Sequence, residues 1–165
     1  MYFQLDLMKL KIYFEDYIAR LAEMSKKPTL ILCDRGLVDC AAYMSKEEYQ
    51  ALLDEQGWTW SSMRDKRYDS VIFMNTAAKG AEKYYTLANN SARTETPEQA
   101  RALDDKTLNA WIGHPSMVIC PNVEGKPFSY KVDMTIKAVQ KTIGLESTQV
   151  YYHKFLVEIG MFGLN

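Results

Sequence analysis

Residues 28–43 read PTLILCDRGLVDCAAY, and the reading of this stretch decides the fold. Residues 29–33 form a short continuous apolar run bounded by Pro28 and Asp34, the pattern of a strand buried on both faces, as in a parallel sheet. The run stops at Asp34-Arg35-Gly36 and restarts over 37–43 with a helical pattern. A carboxylate beside a guanidinium at the end of a buried strand has two readings. Either it is a metal and phosphate site, or it is a polar stop that caps the following helix.

Working outward, DSVIFM at 69–74 and SMVIC at 116–120 repeat the apolar-run pattern, and helical patterns lie between the runs. Upstream, Phe3, Leu7, Leu10, Phe14, Tyr17, Leu21 and Met24 recur at spacings of three and four, a helical stripe ending near Pro28. A second set, Leu5, Met8, Ile12 and Ile18, widens the apolar face and predicts a helix covered on more than one side. A coiled-coil seam fits the same spacing. Residues 46–56 follow a Ser45/Glu48 capping box and stop at Gly57. Thr96-Pro97-Glu98-Gln99 is a second helix start, running to about Ile112 before Gly113. A turn-rich PNVEGKP loop leads into a helical pattern over 128–143 that stops at Gly144, and an alternating segment occupies 149–157. Strands alternating with helices predict an α/β fold with a parallel sheet.

Composition narrows the function classes. Twenty basic and twenty-one acidic side chains among 165 residues are interspersed, so no broad surface for nucleic acid or membrane is expected. No apolar run reaches the roughly 18–20 residues needed to span a bilayer, and the amino terminus lacks a signal-peptide layout, which predicts a cytoplasmic protein. Cys33, Cys40 and Cys120 lack metal-ligand spacing and are expected as buried thiols; with two histidines, a zinc site is not expected. His114 fits a structural cap at a helix end, and Arg64-Asp65-Lys66-Arg67 fits a solvated helix end or a phosphate contact. The tyrosines are expected in the core, with base stacking as the other role for Tyr84-Tyr85 and the rest, and Trp58, Trp60 and Trp111 are expected in the core or at an interface.

Chemistry points to local sites. An Asp at the carboxyl end of a buried strand is placed to hold a Mg²⁺ ion against phosphate oxygens, and Arg35 beside it matches phosphoryl charge. Arg93 in the polar stretch NNSARTETPEQARALD and Arg101 on the helix after it have the layout of a lid that closes over a transferred phosphoryl group. A solvated loop and an exposed helix face account for the same two residues.

The segments DRGLVDCAAY, RDKRYDSVIF, AAKGAEKYYTLANNSARTE and WIGHP, in that order, resemble the P-loop NTPase family related to nicotinamide riboside kinase, in the branch that contains the TRPL translocation defect proteins. The resemblance covers about residues 3–128. It implies a P-loop kinase-like parallel sheet flanked by helices, with Asp34 as the metal carboxylate, Arg35 as a phosphate neighbour, Arg93 and Arg101 as lid arginines, and Asn122 as a base contact. It further implies Mg²⁺ with ATP or GTP as cofactor. In that branch a CYTH-type triphosphate-binding domain follows, and HKFLV at 153–157 looks like its opening strand. The expected division is therefore 1–143, a partial NTPase domain, and 144–165, a linker with the start of a CYTH-like domain.

The sequence departs from the family pattern at Pro121, where an acidic residue is usual, and at Ser116, where a second His is usual. The larger departure is the absence of a G-x-x-x-x-G-K-[ST] segment, whose backbone amides, lysine and hydroxyl would hold phosphates and Mg²⁺. Gly125-Lys126 is followed by Pro127 and reads as a turn. In the family the missing strand and P-loop precede the part matched here, and that strand lies between those matching 29–33 and 69–74. The expectation is a nucleotide-binding NTPase or kinase-like domain, weak or inactive in catalysis without its P-loop. The alternative is a non-catalytic interaction module on the same scaffold, with a protein partner completing the sheet.

Overall fold

A computed structural model of the chain describes residues 2–85 and 95–145. Arg93, the segment 149–157 with His153, and the whole expected CYTH-like start from 146 onward lie outside the described residues.

Helix α1 spans Tyr2–Ser25, a stretch without Gly or Pro. It ends where the Ser25 hydroxyl donates to the Ala22 carbonyl at 2.7 Å and Lys26 takes a left-handed backbone, φ 53°. A 3₁₀ segment, Leu37–Tyr43, and helix α2, Lys46–Gln56, follow. Both bonds of the expected capping box form: the Glu48 amide donates to Ser45 Oγ at 3.1 Å and the Ser45 amide to Glu48 Oε2 at 2.8 Å. Gly57, at φ 67°, supplies the left-handed stop that other residues adopt at a cost.

After a π-helical turn at Ser61–Asp65 comes strand β1, Val71–Met74, then helix α3, Pro97–Trp111, strand β2, Met117–Cys120, and helix α4, Phe128–Thr142. The strands pair in parallel with Val71 opposite Met117 and Met74 opposite Cys120, and α3 is the connection between them. The α/β class with a parallel sheet is therefore as expected, the described sheet having two strands. The core centres on the 3₁₀ segment: Leu37 and Val38 are fully buried against Met8 of α1, Tyr49, Leu52 and Leu53 of α2, and Trp111 of α3. Burying such a side chain stabilises a fold by about 1.5–3 kcal/mol.

Five readings change. Of the tyrosines expected in the core, Tyr2, Tyr13, Tyr17, Tyr43, Tyr84 and Tyr130 are exposed. Residues 29–33 are not in a strand; Leu30, Ile31 and Leu32 are exposed, and the amides of residues 30–33 have no hydrogen-bond partner among the described residues. A strand exists only by pairing, and across a groove of about 1420 Å³ from this segment lies the open edge of β1. Cys33 is accordingly exposed, whereas Cys40 and Cys120 are buried. On α1 the second apolar set supplies the buried residues, Leu5 and Met8, while Phe3, Phe14 and Met24 of the longer stripe are exposed, so the helix is covered on one side. The Arg64–Arg67 run is structural. Arg64 donates to the Ile112 carbonyl at 2.7 Å, and Arg67 bonds Glu15 at 2.6 Å and Asp16 at 2.8 Å, fastening α1.

Candidate functional site

The Asp34-Arg35-Gly36 turn is held from three directions. Asp39, in the first turn of the 3₁₀ segment, accepts the Gly36 amide on Oδ2 at 3.1 Å and the Trp111 indole N–H on Oδ1 at 2.5 Å. Tyr68 Oη accepts the Leu37 amide at 2.9 Å and donates to Glu15 of α1 at 3.0 Å; burial, and after it the Glu15 charge, push this phenol's pKa far up, so it remains a donor. Lys11 Nζ donates to the carbonyls of Asp34, at 3.3 Å, and Arg35, at 2.7 Å.

Two backbone features fit this frame. A Cβ on Gly36 would lie 2.3 Å from Trp111 Cζ2, so the indole occupies the space any other residue needs. Arg35 sits at φ 68°, a left-handed conformation that costs a non-glycine residue about 1 kcal/mol or more. The conformation turns the chain between the extended segment and the 3₁₀ segment. Arg35's side chain is largely exposed, with Nη1 4.0 Å from Asp39.

Asp34 and Arg35 both line the groove that separates residues 29–33 from β1. The Asp34 side chain is exposed and its carboxylate has no hydrogen bond or ion pair among the described residues. No cluster of three or more His, Cys, Asp or Glu side chains able to hold a metal occurs among the described residues.

A second polar cluster ties together the carboxyl ends of both strands. Asp104 of α3 accepts the Thr76 amide at 2.8 Å, the Asn75 amide group at 2.9 Å and Lys79 Nζ at 2.8 Å. Asn122, just after β2, donates to the carbonyls of Thr76, at 2.7 Å, and Lys79, at 2.8 Å, and its Oδ1 accepts Lys131 Nζ at 3.0 Å. Lys131 also donates to the Asn75 carbonyl; burial pulls its pKa below the ordinary lysine range, against the opposing pull of Asp104 and Cys120. Arg101 donates from Nη1 to the Ala78 carbonyl at 3.0 Å and from Nη2 to Glu98 at 2.9 Å.

The expected site residues thus fall into two groups. Asp34 and Arg35 stand together at the groove, and Arg101 and Asn122 converge on the loop over residues 76–80. His114 is structural: Nε2 donates to the Tyr68 carbonyl at 2.8 Å and Nδ1 lies 2.9 Å from the Ser116 carbonyl.

The acidic turn at Asp34, the loop-and-helix element after β1 and the polar loop after β2 all lie in or beside the stretch for which the comparison with protein families finds a match. The model for the AAA domain, a P-loop NTPase-type domain, matches residues 2–124. The chain belongs to this AAA domain family. Comparison with curated proteins and with solved structures finds no match. No helix among the described residues is long and apolar enough to cross a membrane.

Sequence reasoning missed three residues of the candidate site. Asp39, Tyr68 and Lys11 hold the turn, and of the three only Tyr68 carries an expectation, that of a core tyrosine. For Asp39 a signal existed, since it stands three residues after Gly36, where a helix-start carboxylate reaches back to an amide. Tyr68 and Lys11 act across 31 and 24 residues respectively, and no local pattern marks such contacts.

Proposed function

We propose that this AAA domain carries the nucleotide-facing residues of an NTPase or kinase-like protein of the TRPL translocation defect branch, binding ATP or GTP with Mg²⁺. The observation that carries the reading is the unpartnered Asp34 carboxylate at the groove, beside the exposed guanidinium of Arg35. Asp34 would hold Mg²⁺, and Arg35, Arg93 and Arg101 would meet phosphoryl oxygens. Arg101 retains donors for this, because a guanidinium has five N–H groups and the two bonds described use only part of them. Asn122 would touch the base through the lone pair of Oδ1 that Lys131 leaves open. Bound Mg²⁺ would neutralise phosphate charge.

Without a G-x-x-x-x-G-K-[ST] segment the sequence lacks the amide cradle for phosphates, so catalysis by this chain is weak or absent. The same absence favours a second reading, a non-catalytic interaction module on the NTPase scaffold. In both readings residues 1–143 form the NTPase part and 144–165 lead into a CYTH-like domain.

Thermal unfolding with millimolar Mg-ATP or Mg-GTP tests the first reading, since a ligand that binds only the native state raises its Tm. A cooperative melt raised by one nucleotide, with the shift lost in Asp34→Ala, supports nucleotide binding at Asp34. A cooperative melt that neither nucleotide moves leaves the interaction module.

A further inference from the structure

We propose that the pocket between the amino-terminal turns of α1 and the 3₁₀ segment is a binding site for a small organic anion with an apolar body and a hydroxyl or amide at its far end. The site is additional to the nucleotide reading and does not rest on it. Arg35 borders both this pocket and the groove, but no residue of 29–33 or of β1 lines the pocket.

Spacing along α1 sets the length of the ligand. Gln4, Leu7 and Lys11, all in the lining, follow one another at intervals of three and four, so they share one face of the helix. Gln4 and Lys11 stand two turns apart, about 10 Å along the axis. The Lys11 end is positive. Lys11 uses two of its three N–H groups on the carbonyls of Asp34 and Arg35, and the Arg35 guanidinium is largely exposed. Asp39, the one carboxylate in the lining among the described residues, already accepts the Gly36 amide and the Trp111 indole. Two cations therefore face one occupied carboxylate, an arrangement that an anionic head completes.

At the other end, Gln4 Oε1 is buried with no hydrogen-bond partner among the described residues. Buried polar atoms are nearly always paired, so an unpaired one points to a group that it bonds in another state. A half-turn about the last torsion of the side chain exchanges the oxygen and the NH₂ group, and a hydroxyl, which both donates and accepts, satisfies either. Between the ends the walls are apolar: Leu7 and the exposed rings of Phe3 and Tyr43. The volume, about 440 Å³, is that of a small-molecule site. Two fused aromatic rings fill a span that a single ring leaves short.

The test uses the full chain and 6-hydroxy-2-naphthoate, a fluorescent probe with a carboxylate and a hydroxyl at opposite ends of two fused rings. Titration followed by its emission should give a Kd of about 1 mM or tighter, and the amide resonances of residues 3–11 and 35–43 should shift. 2-Naphthoate, which lacks the hydroxyl, should bind about 5-fold more weakly, and 6-hydroxy-2-naphthamide, which lacks the charge, about 20-fold more weakly. Gln4→Leu should weaken 6-hydroxy-2-naphthoate and leave 2-naphthoate unchanged; Arg35→Gln should weaken both naphthoates and leave the naphthamide unchanged. The analogues leave the protein unaltered, so the test stands even if either variant fails to fold. Three results overturn the proposal: no binding of 6-hydroxy-2-naphthoate at millimolar concentration, equal binding of the naphthamide, or shifts confined to residues 29–33 and 71–74, which would put the probe in the neighbouring groove.

Discussion

Gly36 is the residue on which the turn depends, and its constraint is space. Gly36→Ala places a Cβ 2.3 Å from Trp111 Cζ2, so the indole must move and weaken its bond to Asp39. Overpacking of this kind costs about 1–3 kcal/mol. Urea denaturation should register that loss, and in a Trp111→Leu background the same substitution should cost clearly less, because the ring that blocks it is gone. Equal costs in the two backgrounds would mean that the contact is not what restricts the position. Of this arrangement the sequence displays Asp34, Arg35 and Gly36 at the end of an apolar run, but not the ring that closes over them. Trp111 lies 75 residues from Gly36 along the chain, and which residues meet at such separation is settled by tertiary packing.

At the scale of elements, local chemistry was legible where an element carries its own signals. Ser45/Glu48 and Thr96/Gln99 are capping boxes in sequence and in structure, because a box is written in four consecutive residues. Thr96→Ala should destabilise the fold by about 1 kcal/mol, and Ser45→Ala by a similar amount. The two caps share no partner, so the double variant should show the sum in urea denaturation. A marked departure from additivity would tie α2 and α3 together in a way the separate caps do not. Residues 29–33 show the limit of such reading. Their composition says strand, but a strand is a property of a pair, and the neighbour is not written in the segment itself. On α1 periodicity marked both apolar sets, yet only Leu5 and Met8 are buried in the core, with Leu7 and Ile12 packed against it in part.

For the molecule as a whole, the three thiols are a graded set of probes. Cys33 is exposed on the groove wall, with a pKa raised by partial desolvation and by Glu15, whereas Cys40 is buried with its pKa pushed up to about 11 by burial and by Asp39. Only thiolate reacts with disulfide reagents, so labelling of the folded chain should proceed at Cys33 alone and should accelerate as pH rises above the ordinary thiol range near 8.5. Cys40 and Cys120 should react only as fast as the fold opens. Mass spectrometry of partly labelled protein checks the order; early labelling at Cys120 would mean that the β2 end of the sheet is open.

The bond between Trp111 and Asp39 also makes the turn visible to light. An indole beside a carboxylate, edge-on to Tyr68 with ring centroids 5.4 Å apart, sits in a local electric field unlike that around Trp58 and Trp60. Any event that shifts the Asp34–Gly36 turn alters that field, because Asp39 holds the Gly36 amide and the indole at once. With Trp58 and Trp60 replaced by Phe, the remaining emission spectrum would report, without an attached dye, when the Asp34–Gly36 turn changes shape.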